Sequence, residues 1–188
     1  SGNMLSYRSA IEDESAIADV AALQALIDSV DASLAAFASV QAAASSSDAS
    51  SITVDTLNAI RGLTFGSANV ADYQAAIAAE SAIADVIALQ ALIDDVDTTL
   101  SALSDVQAAA ASNDASGLTL TTLSNINGLI YVEANLGDYQ AAIAAESDIA
   151  DVTALQALST VWMQVSWRLP TYKPRRQGVM RVPLRAVS

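Results

Sequence analysis

The sequence contains no cysteine and no histidine. Disulfides, thiolate nucleophiles and imidazole or thiolate metal sites are therefore excluded, as are Ser-His-Asp and Cys-His catalytic arrangements. The redox compartment is left open. The single lysine, Lys173, lies near the C-terminal end, so the rest of the chain offers no partner for a Ser-Lys pair. Proline is absent before Pro170, and no glycine-rich phosphate loop is present. No uninterrupted apolar run reaches membrane-spanning length, and no signal peptide is visible.

What is abundant is alanine. Apolar residues make up 53% of the 188, aromatic residues only 5%, and helix formers dominate. With no internal proline, this composition predicts an almost entirely helical body. Charge is distributed unevenly. Residues 1–160 hold all 21 acidic residues against two arginines, Arg8 and Arg61. Such a body repels nucleic acid and anionic membranes. The acid excess suits a solvated surface in salty water or, equally, ordinary acidic solubility.

The chain repeats. Beginning at Tyr7, Tyr73 and Tyr139 run three related stretches, "YRSAIEDESAIADVAALQALIDSV", "YQAAIAAESAIADVIALQALIDDV" and "YQAAIAAESDIADVTALQAL", at a period of 66 residues. The intervening "DASSITVDTLNAIRGLTF" from Asp48 aligns without a gap to "DASGLTLTTLSNINGLIY" from Asp114. Even "SGNMLSY" occupies the register of "SANVADY", so the amino end reads as repeat sequence. The chain opens in mid-repeat and is expected to be a fragment of a longer protein.

Each repeat is read as three helices. A short first helix spans about Val54 to Arg61, with Thr53 as N-cap and Gly62 at a left-handed C-terminal position; Thr119 and Gly128 recur one period on. A second runs from Val70 to Ala79, with Asn69 (and Asn3 and Asn135) as candidate cap and Asp72 in the first turn. Ser81 is the candidate cap of a long third helix. Val86, Leu89, Ile93, Val96, Leu100 and Leu103 form its heptad stripe, repeated as Val20, Leu23, Ile27, Val30, Leu34 and Phe37. The helix continues through alanines to about Ala110, with a break possible near Asp97-Thr98. It is too long to pack on its own two short partners alone. Its far end is expected to meet the short helices of the next repeat, so that neighbouring units share a core and stack into a rod.

The end of the chain departs from this pattern. Val161 to Ser188 holds six of the eight basic residues, all three prolines, both tryptophans and no acid. Read from the last base of the Trp162 codon (TGG), Met163 (ATG) and Gln164 (CA-) give GAT and GCA. These encode Asp and Ala, matching Asp31-Ala32 of the repeat. Codons can be chosen for the rest so that most positions match upstream repeats. The tail is thus expected to be repeat sequence translated out of frame after loss of one base near codons 157–158. A basic, tryptophan-bearing nucleic-acid or membrane patch is the competing reading. Helix is expected to reach about Arg168 before Pro170 stops it.

Carboxylates are the only general acids or bases left. Asp94, Asp95 and Asp97 cluster in sequence, but helical spacing splays them around an exposed side, unlike a calcium loop. Asp48 and Asp114 sit in serine-rich loops and are read as turn or cap residues rather than weak calcium ligands. Tyr73 and Tyr139 are read as inter-helix anchors with exposed hydroxyls. The heptad stripe is read as internal core. No catalytic, cofactor-binding or metal-binding residue, and no cofactor, is expected.

The order "LNAIRGLT … DYQAAIAA … ADVIALQALI" resembles the GA-type three-helix modules of bacterial surface proteins, some of which bind albumin. The resemblance is carried by Leu57, Ile60, Gly62 and Leu63, by Tyr73 and Ile77, and by Val86, Leu89 and Ile93. With the long third helix, it also resembles the chained helical repeats of giant bacterial adhesins. It implies an all-α fold of tandem three-helix repeats forming an elongated rod, at the bacterial cell surface or outside the cell. The expected divisions are a partial repeat at 1–47, a complete repeat at 48–113, a partial repeat at 114–158 and an aberrant tail at 159–188. The expected function is a structural spacer or stalk; the alternative is a repeated module binding a host or matrix protein. Expected partners are neighbouring repeats of the same chain and an unidentified protein ligand, with no nucleic acid and no membrane insertion. The tail or an exposed heptad seam offers a surface for a homodimer.

Overall fold

The structure is a computed structural model that describes residues 2–14 and 16–168, with the side chains of 161–168 outside the description. Most of the tail, and with it the out-of-frame reading of 169–188, lies outside the described residues. The described chain is all-α. Its helices are α1 (Gly2–Asp13), α2 (Val20–Ser46), α3 (Val54–Asn58), α4 (Val70–Ala79), α5 (Val86–Ser112), α6 (Leu120–Ser124), α7 (Leu136–Ala145) and α8 (Val152–Arg168). Single 3-10 turns at Ser67–Asn69 and Glu133–Asn135 lead into α4 and α7.

Local chemistry explains the boundaries. Thr53 and Thr119 each make a reciprocal capping box with the threonine three residues on. The short helix stops at Asn58, earlier than the expected Arg61. Ile60 N–H turns back to the Leu57 carbonyl at 3.1 Å, tightening the last turn so that both apolar side chains enter the core. Gly62 (φ 79°) and Gly128 (φ 81°) then reverse the chain in the left-handed region, where glycine carries no Cβ penalty.

The long helices start differently from expectation. Ser81 does not cap α5; Asp85 does, its carboxylate accepting from Ala88 N–H at 2.8 Å. Asp19 and Asp151 repeat the contact. A carboxylate next to the helix start is favoured by the dipole as well as by the hydrogen bond. Residues 80–85 run into the helix as non-helical chain, which carries the start beyond Ser81. Asn69 and Asn135 make no side-chain cap bond either. There is no break at Asp97-Thr98: α5 is continuous. It ends where Asn113 adopts φ 53°, as α2 ends at Ser47 with the same φ, and the N–H groups of Asn113 and Asp114 return to the Ala110 and Ala109 carbonyls.

Packing links each long helix to the elements on either side of it. α2 packs on α1, α3 and α4, and α5 packs on α4, α6 and α7, while α8 packs on α7. The first core runs from Val40 near the end of α2, through Ile52, Leu57 and Tyr73, to Leu89 and Ile93 at the start of α5. The second runs from Ala102 and Val106 on α5, through Leu118, Leu123 and Tyr139, to Leu155 on α8. Eleven of the twelve buried members of each core are the same positions one period apart, from Val40 and Val106 through to Leu89 and Leu155. The loops at Asp48 and Asp114 therefore lie within cores. A small third cluster of Ala10, Leu26 and Val30 joins α1 to α2. Of the heptad positions, Val30, Leu89, Ile93 and Leu103 are buried, most others are half-buried and Val20 is 82% exposed, so the expectation of an internal stripe holds only in part.

By length and composition alone α2 is apolar enough to cross a membrane, with a mean hydropathy of 1.4 over its best window. The absence of a continuous apolar run did not reveal this, because alanine raises the average without forming one. Core helices pass the same test when mostly buried; Val40, Ala43 and Ala44 of α2 lie in the first core, but only 22% of its apolar window is buried.

Candidate functional site

An organised polar group surrounds Tyr73. The ring is buried, 1% exposed, and meets Phe65 edge-on at a centroid distance of 6.2 Å. Its hydroxyl donates to Asp97 Oδ1 at 2.5 Å and accepts from Gly66 N–H at 3.0 Å. Asn69 Nδ2 donates to the same Asp97 oxygen at 2.8 Å. The expected exposed hydroxyl is therefore wrong, and so is the expectation that Asp97 is purely solvated surface. The side chain that looked like a cap, Asn69, serves this carboxylate instead. Burial, and then the bond to Asp97, push the Tyr73 phenol above its ordinary 10.0.

One repeat earlier, Tyr7 donates to Asp31, and this bond is the leading cause of its raised phenol pKa. One repeat later, Tyr139 accepts from Val132 N–H at 2.9 Å, as Tyr73 does from Gly66. The position one period beyond Asp97 is Met163.

The other candidate carboxylates have separate local tasks. Asp94 accepts from Gln90 at 2.7 Å, and Asp95 accepts from Asn127 Nδ2 at 2.6 Å. With Asp97 turned toward Tyr73, the three do not converge. Asp48 and Asp114 form side-chain turns, each accepting at 3.0 Å from the N–H two residues on. Hydrogen bonds from Ser50 and Ser116 hold both carboxyls below their ordinary 3.8. Among the described residues no three acidic groups lie together in a way that could hold a metal ion.

Glutamines, which no motif in the sequence marks, tie successive elements together. Gln41 and Gln107, on the long helices, donate at 2.9 Å to the carbonyls of Ile83 and Ile149, ahead of the next long helix. Gln74 and Gln140 donate to the carbonyls of Ile52 and Leu118 at 2.6 and 2.7 Å. Gln90 bonds both the N–H and the carbonyl of Thr64, at 2.7 and 2.8 Å, and Gln156 does the same at Ile130. Their recurrence at the repeat period was the available signal. No described side-chain polar atom is buried without a partner.

Open space lies in surface clefts rather than in the second core. The cavity within the second core, beside Tyr139 and Leu155, is about 10 Å³, room for a single water at most. A cleft along α5 and α6 is lined by Asp97, Asp105, Thr119 and Thr122, of which Asp97 and both threonines are already engaged in the bonds above. Among the described residues the arrangement supplies clasps between helices, such as Tyr73 on Asp97 and the glutamines on backbone carbonyls.

No family model matches the chain, and no significantly similar curated protein or solved structure was found.

Proposed function

We propose that the chain is a structural spacer segment, built of three-helix repeats stacked through shared cores, from a bacterial cell-surface or secreted adhesin-like protein. One observation carries this reading. The same eleven core positions recur one period apart, and each core is made from the end of one long helix and the beginning of the next. A unit of this kind cannot complete its core alone. Added units extend the array, and stability comes from nearest-neighbour contact. The continuous α5, contributing Ile93 to one core and Ala102 to the next, couples their orientations. The acidic residues keep such an array solvated. The GA-like resemblance enters as architecture; no albumin binding is proposed.

The alternative, a repeated binding face, calls for exposed apolar residues that recur. They do not recur in the later units. Ile87 is 80% exposed, but Ala21 and Thr153 hold its place; Ile130 is 68% exposed, and Thr64 holds its place. The spacer reading is preferred on that ground.

Small-angle scattering on chains with one, two and three added repeats tests it. The maximum dimension is expected to grow by a constant increment per repeat. A radius of gyration near the ~16 Å of a compact chain of this length, growing only as a globule does, would overturn it.

A further inference from the structure

The first unit presents uncovered the face that the later units bury. Ile17 is 36% exposed, whereas Ile83 and Ile149 at the same position are 5% and 1% exposed. Ile11 is 42% exposed against 0% for Ile77 and 2% for Ile143. Leu23 and Ile27 are half-buried, while Leu89 and Ile93 are fully buried. The polar contacts show the same pattern. Gln90 and Gln156 clamp both backbone groups of the residue two positions beyond the glycine turn; Gln24 at the same position bonds only Asp28 on its own helix, at 2.8 Å. The carbonyls of Ile83 and Ile149 each receive a glutamine from the preceding long helix. What covers this face is therefore visible twice in the same molecule: the end of a long helix, the serine-rich loop and the short helix with its glycine turn, as in residues 36–65.

We propose that the face formed by α1 and the first half of α2 is a docking site for that segment of another repeat unit of this sequence. The inference rests on the shared-core stacking described above and names the surface and its occupant. Ile17, Leu23 and Ile27 would receive the alanines and apolar residues of the incoming long helix and loop. Gln24 would take the backbone after the incoming glycine turn, as Gln90 takes Thr64. One difference lies at the edge of the face. Arg8 and Glu12, an exposed ion pair at 2.7 Å, stand where Gln74 and Ala78 are half-buried. Arg8 can donate to the incoming carbonyl as Gln74 does to Ile52, and Glu12 stays at the rim.

The absence of cysteine makes a direct test possible. Ile17→Cys is placed in the full chain and in the same chain prefixed with a copy of residues 1–66, which meets Ser1 in repeat register. The rate of labelling by a thiol-reactive dye is measured in both. Ile83→Cys and Ile87→Cys, made separately, are the protected and accessible references, since the native residues are 5% and 80% exposed. The prefix is expected to slow labelling at Ile17→Cys at least tenfold, toward the Ile83→Cys rate. An unchanged rate, with Ile83→Cys protected, would overturn the docking site and leave the stacking intact. Ile83→Cys reacting as fast as Ile87→Cys would overturn both.

Discussion

Removing the hydroxyl of Tyr73 and of Tyr139 in turn measures what the carboxylate contributes, because the two tyrosines share their burial and the backbone bond to the hydroxyl. Both rings are buried, at 1% and 4% exposure, and both hydroxyls accept from the N–H seven residues earlier. Only Tyr73 is shown donating to a carboxylate, Asp97, at 2.5 Å. Tyr139→Phe loses a neutral hydrogen bond and leaves one N–H without its acceptor, a cost of about 1 kcal/mol. Tyr73→Phe loses the same bond and also a charge-assisted one, adding about 1.5–3 kcal/mol, for a total of about 2.5–4 kcal/mol. Asn69 still serves Asp97 in that variant, which keeps the carboxylate partly satisfied and limits the loss. Urea unfolding at neutral pH, followed by far-UV circular dichroism, gives both numbers. Equal costs, or a larger cost at Tyr139, would refute the assignment of the carboxylate bond as the stabilising element. The pH dependence supplies a second sign. With its phenol raised in the folded state, Tyr73 stays protonated where the unfolded chain ionises, so the folded state binds more protons. Stability is then fully present below the ordinary phenol value of 10.0 and falls as pH rises above it, toward the raised folded value. Tyr73→Phe is expected to flatten part of that alkaline loss.

Other outcomes stem from recurring features. Gln41→Ala and Gln107→Ala each remove a bond from one long helix to the segment preceding the next, and each is expected to lower stability by about 1 kcal/mol; hydrogen exchange in residues 83–89 or 149–155 should rise, and a rise confined to the mutated helix would contradict the linkage. Ser47→Gly relieves a left-handed residue at φ 53° and is expected to raise stability by about 0.5–1 kcal/mol in thermal unfolding, whereas no gain would mean that Ser47 is not strained there. Asp48 and Asp114 have depressed carboxyl values, so their contribution is present above the ordinary 3.8 and lost as pH falls below it through the folded value. Carbon-13 carboxyl titration should place both midpoints below 3.8, and Ser50→Pro or Ser116→Pro, which lacks the donor N–H, should return that site's value upward.

The helices were legible because alanine-rich sequence without proline permits little else, and because the 3-4 spacing of Val86, Leu89, Ile93 and Val96 marks one face. Bounds for α4 matched, Val70 to Ala79, although Asn69 does not cap it. Ser81 and Asn69 misled for a shared reason. Each is a good cap by residue type, yet the choice between Ser81 and Asp85 depends on where the linking segment leaves the chain, and Asn69 is taken by a carboxylate 28 residues away. Asp97 misled in the same manner. Its sequence neighbours are solvated, and nothing local indicates a tyrosine 24 residues earlier. The glutamine clasps span up to 43 residues, so only their period could have exposed them.

The departure at the end of the third repeat can be weighed against what the repeat needs. Ile93 is fully buried in the first core, and Ser159 occupies its place in the second. Ser159 is 5% exposed and satisfies its hydroxyl on the carbonyls of Gln156 and Ile130, at 2.8 and 3.3 Å. The second core thus keeps eleven positions and loses one large apolar side chain, a deficit of about 1.5–3 kcal/mol by burial. Four residues on, methionine stands where Asp31 and Asp97 receive their tyrosines. A single lost base accounts for the aspartate; an isoleucine at 159 is also reachable in the shifted frame. In the shifted frame the charged position is thus encoded as the repeat requires, and the apolar one is permitted. A tail selected for binding would have no reason to encode the missing half of a tyrosine clasp in its alternative frame.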